Sequence, residues 1–158
     1  MSDIPNGPVV TAQMLIRRPV SEVFEAFIDP AITTQFWFTQ SSGRLEPGKD
    51  ATWTWEMYGA SAHVNVKAIE QDKRILIEWD DPPCPVEWLF SDRGDNTTLV
   101  IISNWGFHGT HETVIAQAID SKGGFTMVLA GLKALLEHSI DLNLVADHYP
   151  DAHVDQGT

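Results

Sequence analysis

From Leu45 to Trp105 apolar and polar residues alternate with a period of two. The alternation breaks at Pro47-Gly48-Lys49-Asp50, Gly59-Ala60, Gln71-Asp72-Lys73, Asp81-Pro82-Pro83 and Arg93-Gly94-Asp95-Asn96, residue types that supply turn geometry. Such alternation marks strands with one buried face, and it predicts five of them, at about 51–58, 61–70, 74–80, 85–92 and 97–105. Connections this short make antiparallel neighbours, because a parallel pair needs a crossover of about a dozen residues. Val9 to Arg17 reads as an earlier strand, closed by Arg18-Pro19.

The period then changes. Val20, Val23, Phe24, Phe27 and Ile28 recur at helical spacing, beginning at Pro19 or Ser21 and stopping at Asp29-Pro30. Pro30 opens a second short helix that ends near Phe36 and Trp37. Near the other end, about His111 to His138, Phe125, Leu129, Leu132 and Leu136 form one helical stripe that Val128 and Leu135 widen. Gly123-Gly124 interrupts it at a cost of about 1 kcal/mol per glycine relative to alanine, which points to a kink, a helix boundary or a close approach. Residues 1–8 and 150–158, His153 among them, are expected to be loose tails of a single domain.

One antiparallel sheet must cover an apolar face, and only the C-terminal helix is long enough to cover it. The predicted fold is α+β, with a curved antiparallel sheet of about six strands wrapped around that helix and two short helices after the first strand. On the strand from Ala51, Trp53, Trp55 and Met57 share a face; Ala62, Val64, Val66 and Ala68 do so on the next; Ile75, Ile77 and Trp79, then Val86, Trp88 and Phe90, follow. Turned inward, these rings meet Phe125, Leu129 and Leu132. Large rings on a curved sheet either fill the core or wall a pocket, and periodicity does not separate the two.

Several strings carry a resemblance. Arg18-Pro19-Val20-Ser21-Glu22-Val23-Phe24-Glu25-Ala26-Phe27-Ile28-Asp29-Pro30 followed by Phe36-Trp37, then Glu46-Pro47-Gly48-Lys49, Arg74-Ile75-Leu76-Ile77-Glu78-Trp79, Asn104-Trp105-Gly106-Phe107 and Gly124-Phe125 through Leu132-Lys133-Ala134-Leu135-Leu136-Glu137 resemble, in order and spacing, the START-like (SRPBCC) superfamily. Within it they resemble the branch of heat-shock-protein-90 ATPase-activator homologues. The resemblance implies a helix-grip fold with a cavity between sheet and helix that takes lipids, polyketides or other apolar molecules. It further implies that Trp37, Trp53, Trp55, Trp79, Trp88 and Phe125 are wall residues and that Gly123-Gly124 lets the helix sit close to the ligand or sheet. The chaperone-binding N-terminal domain of the eukaryotic co-chaperones has no counterpart here, so a chaperone partner ranks third among the readings.

Composition narrows the partners. Ten Lys and Arg against 22 Asp and Glu give a formal charge of −12, which disfavours nucleic acid and anionic membrane surfaces. No apolar run approaches the roughly 18 residues of a membrane span, and the start lacks a signal-peptide layout, so a cytoplasmic protein without membrane insertion is expected. A lone Cys84 in Pro82-Pro83-Cys84-Pro85 has no second thiol for a disulfide or zinc site and reads as a passive loop residue. Asp80-Asp81 reads as a solvated turn. Phe38 and Tyr149 read as exposed aromatics, available to a homodimer interface or ordinary surface.

His108-Gly109-Thr110-His111-Glu112 sets two imidazoles and a carboxylate together, but not at the spacing of a helical zinc site. Capping by Thr110 explains the string without metal. No metal and no cofactor is therefore expected, and His108 and His111 remain weak candidates for acid-base work at the cavity mouth. Asn104 alternates with Trp105 and could orient a ligand if its face is inward, a question of strand register. The leading expectation is a binding module for a small apolar or aromatic ligand, contacting Trp37, Trp53, Trp55, Met57, Trp79, Trp88, Phe90, Asn104, Phe125, Leu129 and Leu132. A cyclase- or dehydratase-type enzyme is the alternative.

Overall fold

Seven antiparallel strands make one sheet in the order β1-β7-β6-β5-β4-β3-β2, in a computed structural model that describes residues 7–80 and 82–155. They are β1 (Val10–Ile16), β2 (Gln40–Ser41), β3 (Asp50–Trp55), β4 (Ala60–Glu70), β5 (Arg74–Trp79), β6 (Cys84–Gly94) and β7 (Thr97–Asn104). Among the described residues four α-helices accompany them: α1 (Val20–Ile28), α2 (Pro30–Thr33), α3 (His111–His138) and α4 (Leu144–His148). This is the helix-grip arrangement, with the curved sheet gripping α3. The seventh strand, β2, is two residues long and pairs Gln40 with Thr54 and Ser41 with Trp53, too short to leave a periodic signature.

The alternating faces become the core. Val64, Val66, Ile75, Ile77, Val86, Trp88, Phe90, Val100 and Ile102 are all buried, while their neighbours in sequence turn outward. Two local features break the pattern. A bulge between Val66 and Ala68 pairs Ala68 with the outward Leu76, so Ile69, opposite Ile75, takes the inward position expected of Ala68. The strand expected to run to Tyr58 stops at Trp55, and Glu56–Tyr58 winds into a 3-10 turn that closes on Gly59 at φ 60°. Met57 therefore does not share the inward face of Trp53 and Trp55. Phe38, expected at the surface, is only 2% exposed and stacks on Trp53 with ring centroids 4.7 Å apart.

α1 buries Val23, Phe24, Ala26, Phe27 and Ile28 against β6 and β7. α3 is a continuous helix whose N-cap, Thr110, accepts a 3.1 Å hydrogen bond from the Thr113 N–H. α3 runs through Gly123 and Gly124, so they mark no boundary, and a Cβ at either would meet no protein atom within 4 Å. The close approach lies one stripe further on, at Gly131, where a Cβ would stand 3.4 Å from the Phe36 carbonyl oxygen. Because Gly123 is exposed in mid-helix with open space around it, Gly123→Ala should stabilise the fold by up to about 1 kcal/mol, read as a melting temperature about 2–4 °C higher.

α3 comes closest to the sheet along β1, and its polar side chains reach the strand's backbone. Lys122 Nζ donates to the Thr11 carbonyl, Lys133 Nζ to the Leu15 carbonyl at 2.9 Å, and the Arg17 N–H to Glu137 Oε2 at 2.8 Å. Lys133 also pairs with Glu137 at 2.7 Å. Burial pushes the Glu137 carboxyl up, but the bonds from Lys133 and the Arg17 N–H outweigh it and hold the group below its ordinary value. A folded value below the unfolded one means stability that is fully present above the ordinary glutamate pKa of about 4.3 and is lost as pH falls through the folded value. Glu137→Gln should cost about 1–2 kcal/mol at neutral pH, and denaturant titrations near pH 3, about a unit below the ordinary glutamate value, should show the gap to the parent protein narrowing.

Hydrogen bonds reach the described part of the C-terminal tail. Tyr58 Oη donates to the Val145 carbonyl, the Val154 N–H to the Met57 carbonyl at 2.8 Å, and His153 Nε2 to the Ala146 carbonyl at 2.7 Å. Of the stretch expected to be loose, His153 and Val154 make two of these bonds, while the expectations for residues 1–6 and 156–158 lie outside the described residues. Among the described residues no helix is long and apolar enough to cross a membrane.

Candidate functional site

Between α3, α4 and the concave face of β3, β5 and β7 lies a cavity of about 440 Å³. Its sheet wall is Trp55 at the end of β3 and Trp79 at the end of β5; its helix wall is Gly124, Phe125 and Val128. Trp37, delivered by the chain after α2, sits among them, with its ring centroid 6.1 Å from Trp55, 6.1 Å from Trp79 and 5.9 Å from Phe125. Trp79 and Phe125 stack at 5.8 Å. Where a Cβ would face the cavity, Gly124 has none, so the absent side chain is space for a ligand.

The inner end is polar and internally satisfied. Asn104, 2% exposed and on the inward face of β7, donates from Nδ2 to the Pro85 carbonyl at 2.8 Å and to Cys84 Sγ at 3.2 Å. Its Oδ1 accepts the Ser121 hydroxyl at 2.7 Å. The amide thus ties β6, β7 and α3 together at one point. Cys84 is a correction to the loop expectation: it is the first residue of β6, buried, and its thiol donates to the Trp105 carbonyl at 2.9 Å. Burial pushes that thiol above its ordinary pKa, Asn104's bond pulls it down, and the charge of Asp80 raises it further. The net result is a protonated, poorly nucleophilic sulfur.

A second recess of about 380 Å³ adjoins the first and shares Asp80, Cys84, Phe107 and Gln117 with it; His108 lines this recess. Asp80, expected to be solvated, is exposed as a residue, yet its carboxyl lies deep enough for desolvation to raise its pKa. Asp81 lies outside the described residues. His111 is exposed at the first turn of α3 and lines neither space. Of the residues expected at the wall, Trp37, Trp55, Trp79, Asn104 and Phe125 line the cavity. Trp53, Trp88, Phe90, Leu129 and Leu132 are packed beneath it instead, Trp53 under Phe38 and Phe90 under Phe24 and Phe27. Met57 lies off the cavity with the 3-10 turn.

The model of the family "Activator of Hsp90 ATPase homolog 1-like protein" matches residues 17–137. The chain belongs to this family. The match runs from the end of β1 to the end of α3 and stops short of α4, which closes one side of the cavity. A solved relative of the same build is the protein SSP2350 from Staphylococcus saprophyticus, with 30% identity, TM-score 0.74, and 85% of this chain and 96% of that one covered. DynU16, from the dynemicin biosynthetic locus, shares the fold at 22% identity and TM-score 0.73, over 84% of this chain but 48% of its own. The Aha1 dimer from Colwellia psychrerythraea does so at 14% identity and TM-score 0.70, over 83% of this chain and 97% of that one. No curated protein matches the sequence.

In this member of the activator-homologue family, sequence reasoning missed the outer wall. Tyr58, Val145, His148 and Tyr149 close the cavity on the side of α4, and Asp120, Ser121 and Met127 line it from α3. Ser121 and Asp120 were legible in principle, one turn before Phe125 on the same helix. The α4 residues were not, because a five-residue helix carries no readable period.

Proposed function

We propose that this protein binds a small apolar or aromatic molecule in the cavity between the sheet and α3. The observation that carries this reading is a space of about 440 Å³ faced by Trp37, Trp55, Trp79 and Phe125. That size falls in the range of ligand sites, and apolar walls with a few placed polar groups are their usual composition. Interiors otherwise close-pack. A gap kept open beside a glycine that lines it supports a cavity that is used. The test is titration with apolar aromatic probes while reading tryptophan fluorescence and melting temperature. Saturable quenching with a rise in melting temperature is expected, since a ligand that binds only the folded state stabilises it. A broad panel of lipids and aromatic compounds that moves neither quantity would refute the reading.

A cyclase- or dehydratase-type activity is a second reading, supported by His108 beside the shared recess. Alanine at His108 separates the two, because a carrier keeps its binding while an enzyme loses turnover.

A further inference from the structure

We propose that the ligand of this cavity carries a cationic amine: an aromatic or apolar body in the tryptophan chamber and a protonated nitrogen between Asp80 and Asp120. The inference rests on the cavity being a ligand site and adds the charge of what fills it. Two carboxylates, Asp80 and Asp120, line the space, and no Lys or Arg does. Among the described residues neither carboxylate has an ion-pair partner, although arginines and lysines elsewhere pair with Glu22, Glu25, Glu46, Glu70, Glu78, Glu87 and Glu137. Desolvation already works against Asp80's charge, a penalty that an ammonium group at hydrogen-bond distance would offset.

The hydrogen-bond inventory points the same way. Five side chains that line the space spend their donors inside the protein: Asn104 Nδ2 on Pro85 and Cys84, Ser121 Oγ on Asn104, Cys84 Sγ on Trp105, Tyr58 Oη on Val145 and Gln117 Nε2 on His108. An anionic headgroup would meet carboxylates without a cationic partner, which costs it affinity. A cation meets free acceptors and the faces of indole rings, the preferred partners in cation–π contact.

The test compares phenylbutylamine, phenylbutanol and phenylbutyrate by calorimetry and tryptophan quenching. At about pH 8 an ordinary imidazole (pKa about 6.5) is neutral and an alkylamine of lysine type (pKa about 10.4) is still charged. The amine should bind at least about tenfold more tightly than the alcohol, with the carboxylate weakest. Asp80→Asn and Asp120→Asn should each reduce the amine's advantage while leaving the alcohol's affinity in place, and Asp95→Asn, the same charge change at the remote β6–β7 turn, should not. Equal affinity for amine and alcohol, or an advantage that Asp95→Asn reduces as much as Asp80→Asn does, overturns the charge inference alone. Failure of all three compounds to bind also overturns the charge inference, while the cavity reading falls only if the broad panel fails as well.

Discussion

Replacing Asn104 by alanine is expected to lower stability by about 2–4 kcal/mol, a melting temperature roughly 5–15 °C below that of the parent protein. The expectation follows from what the amide holds. Its removal leaves the Pro85 carbonyl without its 2.8 Å donor, the Ser121 hydroxyl without its 2.7 Å acceptor, and Cys84 Sγ without its only side-chain donor. A buried polar group whose partner is deleted bears its full desolvation cost, which is larger than the net value of the bond itself. Three groups are affected at once, on β6 and α3. Asn104→Asp should be nearly as harmful, since a carboxylate cannot donate to Pro85. Thermal unfolding of both variants checks this, and a loss under about 1 kcal/mol would mean that water repairs the site.

Filling the position of Gly124 should have the opposite profile, a large loss of binding with little loss of stability. A Cβ there meets nothing within 4 Å, and the residue lines the cavity from mid-helix. Gly124→Phe puts a ring into space that the Trp37, Trp55 and Trp79 rings leave open. Affinity for any apolar probe should fall by more than about tenfold, equivalent to 1.4 kcal/mol or more. The gain in helix propensity, roughly 0.5 kcal/mol for Phe over Gly, offsets part of any strain of packing a larger group. Gly124→Ala is the companion: it should keep binding and melt higher. Unchanged probe affinity in Gly124→Phe would show that the probe binds elsewhere.

These two residues also show what the sequence made legible. Asn104's inward direction follows from strict alternation along β7, Thr98, Val100, Ile102 and Asn104 all being buried, once the register is known. Alternation tells which face a side chain takes and not what lies over that face. Trp53, Trp88 and Phe90 are inward as expected, yet Phe38 and α1 lie over Trp53 and Phe90, and the cavity opens only beside Trp55 and Trp79 at the strand ends. Cys84 was hidden by its proline-rich context, which signals a turn, while its burial comes from Trp105 and Asn104, some twenty residues away in sequence. Met57 was misread because nothing in the alternation of Trp53 and Trp55 announces that the strand ends before Gly59. The family resemblance, carried by strings from Arg18 to Glu137, matched the extent of the family model.

The lysines and glutamate that α3 extends to β1 have a consequence for crowding. A sheet's outermost strand is a template on which another chain can add, and long flat edges invite fibrillar growth. Here the carbonyls of Thr11 and Leu15 and the N–H of Arg17 are already occupied by Lys122, Lys133 and Glu137, and the opposite border, β2, is two residues long. Both borders thus offer an incoming strand few free backbone groups, which disfavours strand-by-strand polymerisation in concentrated protein.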